Sequence, residues 1–192
     1  MSFLFQYIAN PRNVGAIIPS SRFLGNKMTE EIDFERAKYI VEYGPGTGVF
    51  TEILIKKRNP RTMIIAIENN KEFYLLLKQK FKEENNFILI YGSAENADRL
   101  LKSHHIPYAD YVVSGLPFAS LPKQVSSNIL ISTTSLLKRD GKFITLQYTK
   151  LKYVFFEQFF TNIEIQREYR NLPPAYVLSC SMPKEHGEDD YA

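Results

Sequence analysis

A single cysteine, Cys180, is all the thiol chemistry in this 192-residue chain, so an internal disulfide and a thiol-rich metal site are both excluded. Cys180 lies in an apolar run and reads as a small residue in a strand. Histidine is almost as scarce, with three in all. Of these, His104 and His105 fall near the end of a helical pattern and read as surface residues. No spacing of His, Cys, Asp and Glu suits a metal ion, so none is expected. No apolar run reaches the ~18 residues that span a bilayer. The N-terminus lacks the basic stretch and long apolar run of a signal peptide. With one cysteine, a reducing cytoplasm is the expected setting. Charge of one sign is also sparse. The net charge is +3, and the terminal stretch holding Lys184, Glu185, Glu188, Asp189 and Asp190 contributes −3, which leaves +6 on residues 1–183. That favours an anionic partner weakly and falls short of a dedicated nucleic-acid footprint.

What the chain does have is a regular alternation of apolar runs and helical patterns. Strands are predicted near 38–43, 62–67, 87–91, 109–114, 141–148, 161–169 and 175–181. Helical segments fall between the first six, among them 71–83 and 122–138. Strands alternating with helices imply a mostly parallel sheet covered on both faces, an α/β architecture. The last two strands are joined by Asn171-Leu172-Pro173-Pro174, too short for a crossover, so they are predicted to pair antiparallel at the sheet edge. One domain over residues 1–183 is expected, opening with a lid or helical segment over 1–36, with 184–192 as a disordered acidic tail. Ser20 or Ser21 is predicted to cap a first helix that turns Phe23, Leu24, Met28 and Ile32 to the core.

The most informative stretch is Glu42-Tyr43-Gly44-Pro45-Gly46-Thr47-Gly48. It joins a short buried strand to a helical run from Val49 to Lys57. Glycines here let the backbone adopt positive φ and approach a ligand closely. Twenty residues on, a second acid, Glu68, followed by Asn69, ends the next apolar run and can accept both hydroxyls of a ribose. A nucleoside-bearing cofactor is the expectation. The dinucleotide fingerprint G-x-G-x-x-G does not fit, because the third glycine position is Val49. Glu42 would repel a pyrophosphate, whereas it can pair with a cationic amino-acid group. S-adenosylmethionine has that group, with a ribose and no phosphate.

Further motifs lie on loops that the strand order brings to one edge. Gly92-Ser93-Ala94-Glu95 follows the third strand, where an adenine edge can be met by side-chain or backbone groups. Ser93 equally suits a plain helix cap. Ser114-Gly115-Leu116-Pro117-Phe118 follows the fourth strand. A proline-stiffened loop presents carbonyls to an amine, and an aromatic at its end can stack on a base or face a cation. The simpler reading is a turn packed by Phe118.

The strand, acid, glycine turn and second acid resemble the first two motifs of class I S-adenosylmethionine-dependent methyltransferases. The loop at 114–118 is similar to the N-L-P-Y and N-P-P-Y motifs of amino-methylating enzymes, with Gly115 in place of asparagine and Phe118 in place of tyrosine. Two flanking segments narrow the family: Asn10-Pro11-Arg12-Asn13-Val14-Gly15-Ala16-Ile17-Ile18-Pro19-Ser20-Ser21-Arg22-Phe23-Leu24 and Asn171-Leu172-Pro173-Pro174-Ala175. With them the chain closely resembles bacterial phospholipid N-methyltransferases. It resembles ribosomal-RNA adenine dimethyltransferases more distantly.

The resemblance implies a Rossmann-like, seven-stranded sheet with a reversed last strand. It implies S-adenosylmethionine held by Glu42, Gly44, Pro45, Gly46, Thr47, Gly48, Glu68, Asn69, Ser93, Ala94 and Ser114. The acceptor would meet Ser114, Gly115, Leu116, Pro117, Phe118 and Tyr148, with Arg22, Arg170 and Pro173 as substrate contacts. Arg22 also reads as an ordinary surface arginine. The acceptor is expected to be a phospholipid amine at a membrane surface, with RNA adenine as the alternative and a non-catalytic cofactor-binding domain as a third reading. The apolar start, with Phe3, Leu4, Phe5, Tyr7 and Ile8, suits either a lipid interface or packing on the sheet.

Overall fold

A computed structural model describes residues 19–148, 153–169 and 174–184. The element order is α1 (Pro19–Met28), β1 (Tyr39–Tyr43), α2 (Val49–Lys57), β2 (Met63–Glu68), α3 (Lys71–Lys80), β3 (Phe87–Tyr91), a 3-10 turn (Ala94–Asn96), α4 (Ala97–Ser103), β4 (Ala109–Ser114), α5 (Lys123–Leu136), β5 (Leu137–Gln147), α6 (Tyr153–Phe156), β6 (Phe160–Glu168) and β7 (Ala175–Pro183).

The strands form one seven-stranded sheet in the order β3-β2-β1-β4-β5-β7-β6. The first five pair in parallel, and β7 runs antiparallel to both β5 and β6. This is the mostly parallel sheet expected from the alternation and the seven-stranded, Rossmann-like form that the resemblance implies, with the reversed strand where the short proline loop requires it. Because β7 sits between β5 and β6, the edge strand is β6. Strand order reverses between β1 and β4, so the crevice beyond their carboxyl ends is the switch point where open α/β sheets bind ligands.

Two apolar layers cover the sheet. On one face Leu24, Met28 and Ile32 from α1 and its exit pack with Leu54 of α2 on Ile40, Ile64, Val113, Ile144 and Val177. On the other, α4, α5 and α6 bury Leu101, Ile129, Leu130 and Phe156 against Val41, Ile65, Val112 and Phe143. The alternation of strand neighbours between these layers is the period of two that buried strands impose. Cys180 is buried in β7, as its apolar setting implied.

Several boundaries differ from expectation for physical reasons. α1 is described from Pro19, a residue type that suits a first helical position, and the side chains of Ser20 and Ser21, with the predicted cap, lie outside the described residues. Phe23 stays 38% exposed while Leu24 and Met28 are buried, because the core-facing stripe of so short a helix is narrow. β5 starts at Leu137, directly after α5, and pairs with Ala109 before a register shift. The polar run Lys138-Arg139-Asp140 hid that extension from a reading based on apolar patterning.

Glu31, just after α1, fixes this end of the molecule. Its Oε2 accepts from Lys142 Nζ at 2.7 Å and from Ser179 Oγ at 2.6 Å, and its Oε1 accepts from Gln166 Nε2 at 3.1 Å. One carboxylate thereby ties the exit of α1 to β5, β6 and β7. Burial alone would raise its pKa, but the bonds from Lys142 and Ser179 and the charge of Lys142 outweigh that and hold it below the usual value.

Candidate active site

The turn after β1 puts three glycines in left-handed backbone, with φ of 63° at Gly44, 57° at Gly46 and 83° at Gly48. Each would be strained with a side chain. Their surroundings differ. A β-carbon on Gly44 would lie 2.7 Å from Leu116 Cδ2, and one on Gly48 would lie 2.8 Å from Leu77 Cδ2 and 2.9 Å from Phe81 Cε2. A β-carbon on Gly46 would meet nothing within 4 Å. The turn is thus packed at both ends and open at its middle.

Two acids flank this opening. Glu42 is 1% exposed. Its Oε2 accepts from Thr51 Oγ1 at 2.7 Å, while its Oε1 is buried with no hydrogen-bond partner among the described residues. Burial pushes its pKa up to about 7, Thr51 opposes that, and the charge of Glu68 adds to it. A buried carboxylate oxygen without a donor is costly unless a ligand completes it. Glu68 is also buried, with Oε2 accepting from the Gly46 amide at 3.0 Å and Oε1 from the Asn70 amide at 2.8 Å. Each oxygen keeps a further lone pair. The orphaned oxygen of Glu42 and the open space at Gly46 therefore suit a ligand with a cationic amino-acid end and a hydroxyl-bearing sugar.

The remaining expected residues fall around the same edge. Pro45 is buried and Thr47 partly so, with the Thr47 carbonyl accepting from Lys80 Nζ at 2.9 Å. Asn69 is exposed after β2, and its neighbour Asn70 caps α3 by accepting from the amides of Glu72 and Phe73. Ser93 does cap the 3-10 turn, accepting from Glu95 N at 3.3 Å. It also donates to Glu95 Oε2 at 3.2 Å, while Asn128 of α5 donates to Glu95 Oε1 at 2.9 Å. Ala94 is buried behind them.

The loop after β4 is locked from two sides. Ser114 is buried, and its Oγ accepts from Leu116 N at 3.2 Å. Thr145 Oγ1 donates to the Ser114 carbonyl at 3.3 Å, and Gln147 Nε2 donates to Thr145 Oγ1 at 3.2 Å and to the Leu116 carbonyl at 3.4 Å. The Leu116 carbonyl also takes the Phe118 amide at 3.0 Å. Gly115 donates to the Tyr43 carbonyl at 3.2 Å, which continues the β1–β4 ladder. The next ladder donor on the β1 side would be residue 45, a proline with no N–H.

One expectation is corrected here. Phe118 does not face the edge: its ring is fully buried, 5.2 Å from Phe156 and 6.0 Å from Phe143, centroid to centroid. Proline at 117 turns the chain inward, and an aromatic ring gains more from that core than from solvent. Tyr148 is half-buried against the α1 layer. The backbone of Arg22 lies in α1, and its side chain lies outside the described residues, as do Arg170 and Pro173. The register pairs Glu168 with Ala175, so β6 and β7 bring the ends of the proline loop to the carboxyl edge as expected. His104 and His105 are exposed at the end of α4.

Sequence reasoning missed Thr51, Thr145, Gln147, Asn70 and Asn128. Asn70 carried a signal, since asparagine two residues before a glutamate at the start of a helical run is a cap pattern. The others act through tertiary contacts that no local pattern marks. No group of three or more metal-ligating side chains occurs among the described residues.

Comparison with known proteins supplies the rest. Residues 17–155 match the family described as ribosomal RNA adenine dimethylase. The chain is 31% identical over 186 residues to an ornithine lipid N-methyltransferase of Singulisphaera acidiphila, covering 95% of this chain and 96% of that one. It is 32% identical over 108 residues to ribosomal RNA small subunit methyltransferase A of Persephonella marina, covering 56% of this chain and 37% of that one. In fold it is similar to the N-methyltransferase NodS of Bradyrhizobium japonicum, solved with S-adenosylhomocysteine, at a TM-score of 0.71 and 12% identity over 94% of this chain and 98% of that one. The chain belongs to the ribosomal RNA adenine dimethylase family and is a class I, S-adenosylmethionine-dependent N-methyltransferase.

Proposed function

We propose that this methyltransferase transfers its methyl group to the amine of a lipid head group. The observation that carries the reading is the end-to-end similarity to an ornithine lipid N-methyltransferase, against a similarity to the ribosomal RNA enzyme that spans 37% of that protein.

In this reading Glu42 Oε1 receives the ammonium of the cofactor's methionine end, and the open middle of the glycine turn takes its backbone. The spare lone pairs of Glu68 accept the ribose hydroxyls, beside Asn69. Ser93, Ala94 and Glu95 border the adenine. When bound, the cofactor would supply an electrophilic methyl, its S–C bond breaking as the amine nitrogen bonds the carbon, so that a thioether leaves and the nitrogen sheds one proton. The chain's task is to orient that nitrogen and exclude water. The Ser114–Pro117 loop is fixed by Thr145 and Gln147, and the Gly115 carbonyl, whose ladder partner is a proline, is the acceptor it offers to an amine N–H. His104 and His105 lie between α4 and the amino end of β4, at the edge of the sheet opposite the site, and the proton leaves to solvent. Arg22, Arg170, Pro173 and Tyr148 are the candidate contacts for an acidic head group. A membrane surface is then the working location. No helix among the described residues is long and apolar enough to cross one.

Adenine N6 in RNA is the second reading, favoured by the description of the matched family. Incubation of the protein with labelled S-adenosylmethionine and a mixture of bacterial total lipid and total RNA separates the two. Label extracted into chloroform supports the lipid amine, and label retained on RNA overturns it.

A further inference from the structure

Gly115 differs in kind from the glycines of the first turn. Its φ lies outside the left-handed range, so its backbone does not demand glycine. Nor does its packing. A β-carbon built there would lie 3.5 Å from the Gly44 carbonyl oxygen and 3.8 Å from Phe50 Cε2, which is ordinary van der Waals contact. Folding therefore tolerates a side chain at 115, whereas at Gly44 and Gly48 a β-carbon would collide with neighbours under 3.0 Å away.

The position of this gap gives it meaning. Gly115 lies at the switch point, bonded to the Tyr43 carbonyl and directly against Gly44 of the cofactor turn. Phe50, from the first turn of α2, forms the other wall. Phe50 is itself held there, since α1 approaches it so closely that a β-carbon on Gly25 would lie 3.2 Å from its ring. The walls are thus a carbonyl oxygen and the edge of an aromatic ring. Those groups suit the N–H and methylene groups of an aliphatic amine. They offer no side-chain amide to pair with the edge of a planar base.

We propose that Gly115 is a selectivity element: the missing side chain leaves a slot between Gly44 and Phe50 for an aliphatic amine head group, and a side chain there excludes it. This inference rests on the lipid-amine reading and adds the residue that enforces it. Phe50 is the positioning wall, acting through the width of the slot.

The test compares wild type with Gly115→Ala and Gly115→Asn. Each is measured for melting temperature, for affinity to S-adenosylhomocysteine, and for labelled methyl transfer to vesicles of phosphatidylethanolamine and, separately, of ornithine lipid. Both variants are expected to fold with an unchanged or raised melting temperature, because glycine outside the left-handed region gives up more chain entropy than alanine. Cofactor affinity should stay within about threefold of wild type, given the ordinary contact distances. The kcat/KM for the lipid that wild type methylates should fall about tenfold or more in Gly115→Asn, chiefly through KM, and less in Gly115→Ala. Unchanged lipid kinetics in Gly115→Asn overturns the inference while leaving the lipid reading intact. A loss of cofactor affinity that matches the loss of transfer also overturns it, by making position 115 part of the cofactor site. Failure of wild type to methylate either lipid overturns the lipid reading and this inference with it.

Discussion

Glu42 carries a cost that the free protein does not recover. Its carboxyl titrates near 7 rather than 4.5 because it is buried, and one of its oxygens has no donor. The unfolded chain loses this proton near its ordinary pKa, while the folded chain keeps it to about 7. Folded protein therefore binds more protons over that interval, and stability falls as pH rises from about 4.5 to 7, then levels off. The full cost is on the order of 3 kcal/mol. Glu42→Gln should remove this decline, which denaturant titrations at pH 5 and pH 8 will register. Cofactor affinity should show the opposite trend. A cationic ligand group pairs with the ionised carboxylate, so affinity should rise about tenfold per pH unit below 7 and flatten above it. Calorimetry with S-adenosylhomocysteine should find that slope in wild type and lose it in Glu42→Gln. Glu68 should behave differently. Because it holds the amides of Gly46 and Asn70 as well as facing the ligand, Glu68→Ala should weaken cofactor binding by roughly 2–4 kcal/mol, and Glu68→Gln by less.

At the scale of elements, stability is set where helices begin and where α1 docks. Asn70 caps α3 with two amide bonds, so Asn70→Ala should cost about 1 kcal/mol in chemical denaturation. Glu31 joins the exit of α1 to three strands, and Glu31→Ala should cost about 1–3 kcal/mol while leaving Lys142 without its partner. Since its folded pKa lies below 4.5, this contribution is present above that value and disappears as pH falls through the folded pKa. The difference between wild type and Glu31→Ala should therefore narrow in acid. The succession of strands and helices, the antiparallel hairpin and the glycine turn were legible in the chain, whereas the spatial order of the strands was not. Apolar runs, a loop too short to cross over, and acids at fixed offsets from glycines are local signals. Phe118 was not legible, because an aromatic after proline reads the same whether it faces a pocket or the core. Thr51 and Gln147 were not legible either, since their partners lie on other elements and only the fold brings them together.

At the scale of the whole molecule, the sheet places the cofactor turn of β1 and the acceptor loop of β4 side by side at its switch point. A ligand that binds there should stabilise the entire fold, by about 2.7 kcal/mol at a concentration one hundred times its Kd. S-adenosylhomocysteine should raise the melting temperature of wild type and have little effect on Glu42→Gln. Methylation of a lipid amine at this site should be visible in the lipids of a living cell. The most direct test is expression of the chain in a bacterium whose own lipids carry no N-methyl groups, with mass spectrometry of its lipids and its ribosomal RNA. The expected result is amine-bearing lipids heavier by whole methylene increments located in the head group, absent with the Glu42→Gln variant. Unchanged lipids alongside newly methylated adenosine in the RNA would contradict it.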